Sequence, residues 1–210
     1  MKDSTRIADI FIAAAGLLFL LPVFITISIL IKLASRGSVF FVQERVGKNG
    51  IDFKMYKFRS MSLNSHTESS LTIGHRDTRV TTIGYYLRKL KLDELPQIFN
   101  VLKGDMSMVG PRPELKKYVN LYNSEQRKVL SIKPGITDYA SVKYRNENDL
   151  LANAKDSEQL YIKEIMPHKL ELNMYYINNK NLKTYFSILF YTFWQTERKK
   201  IKLEDLAVKQ

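Results

Sequence analysis

Residues 10–31, IFIAAAGLLFLLPVFITISILI, run for 22 positions without a charge, bounded by Asp9 and Lys32. About 20 such residues let a helix cross a hydrocarbon core, so this stretch sets the chain apart from an ordinary soluble domain. It is too long for the apolar part of a secretory signal, and no small-residue cleavage site follows; Arg36 leads instead into Phe40, Phe41 and Val42. The segment is therefore expected to stay on the mature chain. Pro22 stands near its middle, where it removes a backbone hydrogen bond and crowds the preceding turn. A kink there suits a spanning helix, and equally one that turns back to the face it entered from. Lys2 and Arg6 flank one end and Lys32, Arg36 and Arg45 the other, as for a segment with both ends cytoplasmic. Asp3 and Asp9 dilute the first group, so charge alone leaves both topologies open.

The rest of the composition narrows the field. A chain of 210 residues with 45% apolar content is long enough for one domain with a real core. Its net charge of +12 calls for anionic partners: nucleic acid, phosphorylated ligands or acidic lipid headgroups. The absence of cysteine excludes disulfides, Cys-based zinc sites and thiol catalysis. His66, His75 and His168 lack the close spacing of metal ligands and read as ordinary surface or hydrogen-bonding residues.

Beyond the apolar segment, residues 38–59 read as a β-hairpin. Val39 to Val42 and Ile51 to Phe58 are rich in β-branched and aromatic residues, and Lys48, Asn49 and Gly50 supply the turn. Residues 62–79, rich in Ser and Thr, read as a loop. Helices are expected over 82–90, over 93–102 with a stop at Gly104, and over 114–130 after the stiff connector Pro111–Pro113. Residues 131–137 read as a loop around Pro134 and Gly135, and 148–176 as mostly helical with an interruption near Pro167. Residues 182–194 gather Tyr185, Phe186, Phe190, Tyr191, Phe193 and Trp194, with Arg198, Lys199, Lys200 and Lys202 behind them. Such a helix suits the headgroup layer, or the flank of a domain core.

The residues that carry chemistry lie between Lys57 and Arg145. Asp93 and Glu94 are adjacent acids, and Pro96 puts Asp93 at or near a helix N-cap, since proline is accepted only in the first turn. Capping and dipole compensation would account for both acids. The same placement serves a nucleophile or Mg²⁺ ligand in Asp93 with a proton carrier beside it in Glu94. Three basic groups stand ready around them. Strand alternation aims Lys57 and Arg59 to one face, about 7 Å apart. Arg112 is held between Pro111 and Pro113, whose fixed φ limits where its guanidinium goes. Lys143, Arg145 and Asn146 follow the Pro134-Gly135 loop. Each cation alone reads as a solvated surface group; together, beside two acids and a membrane segment, they fit a diphosphate clamp at a bilayer surface.

Seven motifs occur in order: KFRSM at 57–61, TRVTTIG at 78–84, LRKL at 87–90, LDELPQ at 92–97, NVLKGDMS at 100–107, VGPRP at 109–113 and PGIT at 134–137. With their spacing, and with the apolar and aromatic segments at the two ends, the chain resembles the monotopic phosphoglycosyl transferases, a family of bacterial sugar transferases. The resemblance implies an α+β, mostly helical fold with an N-terminal re-entrant membrane helix, a small β-hairpin and interfacial amphipathic helices. It divides the chain into a membrane-embedded part, 1–36, and a catalytic domain, 37–210, on the cytoplasmic face of a bacterial inner membrane. It implies transfer of a sugar-1-phosphate from a UDP-sugar to polyprenyl phosphate, with release of UMP. In that scheme Asp93 attacks the β-phosphate and holds the phosphosugar, Glu94 is its partner acid, and Mg²⁺, with Asp93 as ligand, neutralises the phosphates. Lys57, Arg59, Arg112 and Arg145 bind phosphate or nucleotide, and Pro22 breaks the membrane helix. Anionic lipids are expected partners and nucleic acid is not. A basic membrane-anchored scaffold and an anchored nucleic-acid binder are the competing readings; the first does not explain a proline-clamped Arg112 beside an acidic pair, and against the second the aromatics cluster in one helix rather than across a sheet and no nucleic-acid motif occurs. The chain departs from the family pattern at Leu21, where a serine often precedes the proline, and at Asp138 and Tyr144, where glycine is usual.

Overall fold

A computed structural model describes residues 4–62 and 79–194. Most of the expected loop over 62–79, His66 and His75, and the basic run from Arg198 to Lys202 lie outside the described residues.

The apolar segment forms one helix, α1 (Ser4–Ala34), which continues through Pro22 as a single element. One face docks on the rest of the protein: Asp9, Ala13, Phe24, Ile27 and Ile31 are buried along it. The opposite face stays bare, with Phe19 80% and Leu33 79% exposed. Long and apolar enough to cross a membrane, α1 offers that face no protein partner among the described residues. Its hydroxyls turn inward on the helix itself: Thr26 donates to the Pro22 carbonyl at 2.9 Å and Ser28 to that of Phe24 at 2.6 Å.

Both ends of α1 are tied to the same body. Near the start, Arg6 donates to the carbonyls of Val101 and Leu102, at 2.6 and 3.1 Å. Asp9 accepts from the Ser107 hydroxyl, the Met108 amide and the Tyr185 hydroxyl, at 2.9, 2.8 and 2.8 Å. At the far end Arg59 donates to the Ser35 carbonyl and hydroxyl, at 3.0 and 2.9 Å.

The hairpin is β1 (Phe40–Val46) antiparallel to β2 (Asp52–Phe58), in register from Phe40 opposite Phe58 to Val46 opposite Asp52. Its turn is the expected one, a 3₁₀ turn Lys48–Gly50 with Asn49 and Gly50 at positive φ. β1 outruns its apolar stretch because Arg45 is anchored, donating to the Pro113 carbonyl at 3.2 Å.

Next come α2 (Thr82–Lys89), capped by the Thr81 side chain, a 3₁₀ turn Leu92–Glu94, and α3 (Gln97–Lys103), closed by Gly104 in the left-handed region. A second, parallel ladder joins β3 (Ser107–Val109) to β4 (Gly135–Thr137), where a loop was expected. Three residues are too few to show a period, and close backbone approach is what makes the pair. A Cβ on Gly135 would lie 2.1 Å from the Gly110 nitrogen. Gly135→Ala is therefore expected to push the strands apart and cost several kcal/mol, on the order of 3, read as a large fall in melting temperature. A variant that melts like the parent would remove this account of the ladder.

The helix expected over 114–130 is split into α4 (Lys116–Val119) and a 3₁₀ segment Gln126–Ser131. Between them Asn123 and Gln126 exchange bonds, each side chain accepting from the other's amide at 2.8 and 3.0 Å, so the chain restarts with its own cap. Then follow α5 (Tyr139–Lys143), α6 (Glu147–Ala152) and α7 (Ser157–Leu160). A π turn, Tyr161–Ile165, runs into α8 (Met166–Asn178), so Pro167 falls in the first turn of α8 rather than breaking a helix. The aromatic segment is α9 (Leu182–Trp194), which both docks and exposes: Tyr185 and Ile188 are fully buried while Phe186 and Phe190 face outward. The fold is thus mostly helical with two small sheets. Its core runs from Phe24, Phe58 and Leu87 under the end of α1, through Ala13, Met55 and Met106, to Tyr176, Tyr185 and Ile188 beside α9. A further cluster gathers Tyr118, Val129 and Tyr161, and the last two line one cavity with Pro111–Pro113.

Candidate active site

The acidic pair sits in the 3₁₀ turn before α3 rather than at its cap. Pro96, with no amide to satisfy, takes the N-cap position, so Asp93 is one turn further upstream than expected. Lys91, ahead of the turn, holds a left-handed conformation (φ 59°), a strained setting for a lysine. Fully buried Asn100 braces the turn against the hairpin. It accepts from the Tyr56 amide at 3.0 Å and donates to the Lys54 carbonyl at 2.7 Å, which fixes α3 to the strand that carries Lys57.

Glu94 is the electrostatic hub. The Lys57 ammonium lies 2.8 Å from its Oε1, and both side chains are only 16% exposed. Arg112 grips it with two nitrogens, Nη1 donating to Oε2 at 3.1 Å and Nη2 to Oε1. Burial pushes the Glu94 carboxyl up, but the charges and hydrogen bonds of Arg112 and Lys57 outweigh it and hold the group well below its ordinary range. Glu94 raises the Arg112 pKa in return. As it stands, then, Glu94 is a paired carboxylate and a poor proton carrier.

Asp93 is its opposite. Half-buried, it has no hydrogen bond or ion pair among the described residues. Burial raises its pKa, the nearby Lys57 charge opposes this, and the Glu94 carboxylate adds to it. With no hydrogen bond or ion pair among the described residues, its oxygens are open to an electrophile or a cation. No cluster of three His, Asp or Glu that could hold a metal occurs among the described residues. The arrangement still fits Mg²⁺, which commonly takes one or two protein carboxylates and completes its shell with phosphates and water.

Of the expected cations, the structure brings Lys57 and Arg112 to the acids. Arg59 follows the last residue of β2, and its buried side chain turns to the C-terminal end of α1, where it caps the Ser35 carbonyl. The expected shared face of Lys57 and Arg59 is lost because the strand ends between them. Arg145 is exposed on the turn between α5 and α6, with Lys143 and Asn146 exposed on either side. His168 is the hydrogen-bonding residue expected, partnered by Tyr144 and Lys143.

These features define a site in which an acid without a hydrogen bond or ion pair among the described residues stands next to a doubly clamped one. The chain belongs to the bacterial sugar transferase family, whose model matches residues 2–199. It is similar to the UDP-N-acetylgalactosamine-undecaprenyl-phosphate N-acetylgalactosaminephosphotransferase of Aeromonas hydrophila, 40% identical over 88% of this chain and 41% of the relative. It is 47% identical to a putative undecaprenyl-phosphate N-acetylgalactosaminyl 1-phosphate transferase of Bacillus subtilis (strain 168), over 57% of this chain and 67% of the relative. To the UDP-glucose:undecaprenyl-phosphate glucose-1-phosphate transferase of Escherichia coli (strain K12) it is 35% identical, over 90% of this chain. The chain spans about two fifths of the length of the Aeromonas and Escherichia relatives, 41% and 39%.

Proposed function

We propose that the chain transfers a sugar-1-phosphate from a UDP-sugar to undecaprenyl phosphate, releasing UMP, as the names of its relatives describe for them. The observation that carries this reading is the clamp of Lys57 and Arg112 on Glu94, next to an Asp93 that has no hydrogen bond or ion pair among the described residues. Two cations gathered on a carboxylate are an anion site waiting for a stronger anion. A diphosphate entering the site draws Lys57 and Arg112 toward its oxygens, and Glu94, losing them, regains affinity for a proton.

An Asp93 oxygen attacks the β-phosphorus, the bond to the oxygen bridging to the α-phosphorus breaks, and UMP leaves with the electron pair. The sugar-phosphate is then held on Asp93 as an acyl phosphate. A polyprenyl phosphate oxygen attacks the same phosphorus, the Asp93 oxygen leaves, and a polyprenyl diphosphate sugar is formed. Mg²⁺ bound at Asp93 and the phosphates would neutralise their charge and favour attack by an anion. UMP release from a panel of UDP-sugars, headed by UDP-N-acetylgalactosamine and UDP-glucose, tests the function. No release with undecaprenyl phosphate and Mg²⁺ present would end it.

The membrane reading is part of this proposal: α1 enters and leaves by the cytoplasmic face of the inner membrane, where UDP-sugars are found, with its bare face and that of α9 in lipid. Arg6 and Asp9 at one end of α1, and Ser35 at the other, bind one and the same domain, which supports ends on one side. A vertical helix would separate them by about 30 Å of hydrocarbon. Ser4→Cys and Arg36→Cys should both be shielded from an impermeant reagent in intact cells and both labelled in inverted vesicles. Opposite labelling of the two would establish a spanning helix.

A further inference from the structure

The Pro111–Pro113 connector has a single backbone donor, because neither proline carries an amide hydrogen. That donor, the amide of Arg112, goes to a side chain: Asp138 Oδ2 accepts it at 3.2 Å. The other carboxyl oxygen, Oδ1, accepts from the Ser141 amide at 2.6 Å and so caps α5. Asp138 is fully buried and makes no ion pair among the described residues.

Burying a carboxyl costs free energy that a cap alone does not require. Serine or threonine would cap α5 with a neutral hydroxyl. What only a two-oxygen side chain offers here is a bridge, one oxygen on α5 and one on the connector. The neighbouring backbone shows how that bridge continues the ladder. Gly110 donates to the Thr137 carbonyl at 3.0 Å and Gly135 to the Pro111 carbonyl at 2.9 Å; Asp138 then takes the next donor along, at Arg112. Beyond it the connector is tied to β1, with Arg45 donating to the Pro113 carbonyl at 3.2 Å and the Val46 amide to the Glu114 carbonyl at 3.0 Å, and the Arg112 guanidinium reaches Glu94 from between these anchors.

We propose that Asp138 is a positioning residue for the transfer reaction: it fixes the backbone of Arg112 and thereby sets where the guanidinium meets Glu94 and the phosphates of the nucleotide-sugar. This rests on the proposed function, and it has a measurement of its own. Asp138→Ser keeps a cap for α5 but is too short to hold the connector as well. Its melting temperature is expected within a few degrees of the parent, while kcat/KM for UMP release falls about 10-fold or more. Hydrogen exchange followed by mass spectrometry reads the bond directly, since Arg112 carries the one exchangeable amide between the two prolines. That amide should lose protection in Asp138→Ser and keep it in the parent. In an Arg112→Ala background, Asp138→Ser should cost little more activity, because the guanidinium that Asp138 positions is already gone.

Unchanged protection at Arg112 in Asp138→Ser would overturn the proposal, and so would losses that multiply in the double variant. If the parent releases no UMP from any donor, the functional reading fails, and the exchange measurement still decides whether Asp138 holds Arg112.

Discussion

Asp93→Asn is expected to lower UMP release by about 10³-fold or more, because it removes the atom that attacks phosphorus and nothing adjacent can replace it. Glu94 is tied to Lys57 and Arg112 before the diphosphate enters, and once they are drawn off it takes up a proton rather than serving as a second nucleophile. The same variant should melt at or above the parent's temperature near neutral pH. Burial raises the Asp93 pKa in the folded state, so the fold binds that proton more tightly than the unfolded chain does. Stability from this group is fully present below the ordinary aspartate value and declines as pH rises to the raised one, so above it the charge weighs against the fold. Asparagine removes that charge. Catalysis needs the ionised form, so parent activity should fall on the acid side at a pH above the ordinary aspartate value. Normal turnover in Asp93→Asn would remove Asp93 as the nucleophile; a much lower melting temperature would show that it has a structural partner.

The second large effect belongs to Arg112. Arg112→Ala deletes both of the arginine's bonds to Glu94 together with a cation that the phosphates need, and kcat/KM should fall by about 10²-fold or more. Lysine is a weak substitute, since a single ammonium cannot grip two oxygens at the angle of a guanidinium. Arg112→Lys should therefore recover only part of the loss. Glu94 works in the opposite sense to Asp93 for stability. Its depressed pKa gives the fold support above the ordinary glutamate value, lost only as pH falls through the lower folded one. Arg112→Ala removes the larger of the two opposing charges, leaving Lys57, so the variant should lose stability at a higher pH than the parent when acidified. An Arg112→Ala protein with parent kinetics would show that Lys57 alone organises the acids.

Much of this was legible in the residues. The charge-free run over 10–31 gave α1, and the turn Lys48–Gly50 gave the hairpin, because each is a local pattern with a local cause. LDELPQ pointed to the acidic pair, and the prolines on either side of Arg112 to its fixed approach. The β3–β4 ladder was not legible: it is three residues per strand, made by the approach of Gly110 and Gly135 from distant points of the chain. Arg59 was misread because alternation assumes the strand continues, whereas β2 ends at Phe58 and Ser35, 24 positions away, claims the side chain. The helix expected over 114–130 failed because apolar periodicity does not register the reciprocal Asn123–Gln126 cap that restarts the chain. Asp138 could be noticed from the sequence as a departure, but its two acceptor bonds depend on where β4 brings it, beside the connector.

The central claim is that Asp93 takes the sugar-phosphate before the lipid is engaged, and one measurement meets it directly. The protein in detergent is incubated with a UDP-sugar and Mg²⁺ but no polyprenyl phosphate, quenched quickly in acid and weighed intact. The account predicts an added mass of one phosphosugar per chain, matched by one equivalent of UMP, and neither in Asp93→Asn. If the parent releases UMP only when polyprenyl phosphate is present and never carries the adduct, transfer is direct between the two substrates. Asp93 is then not the nucleophile.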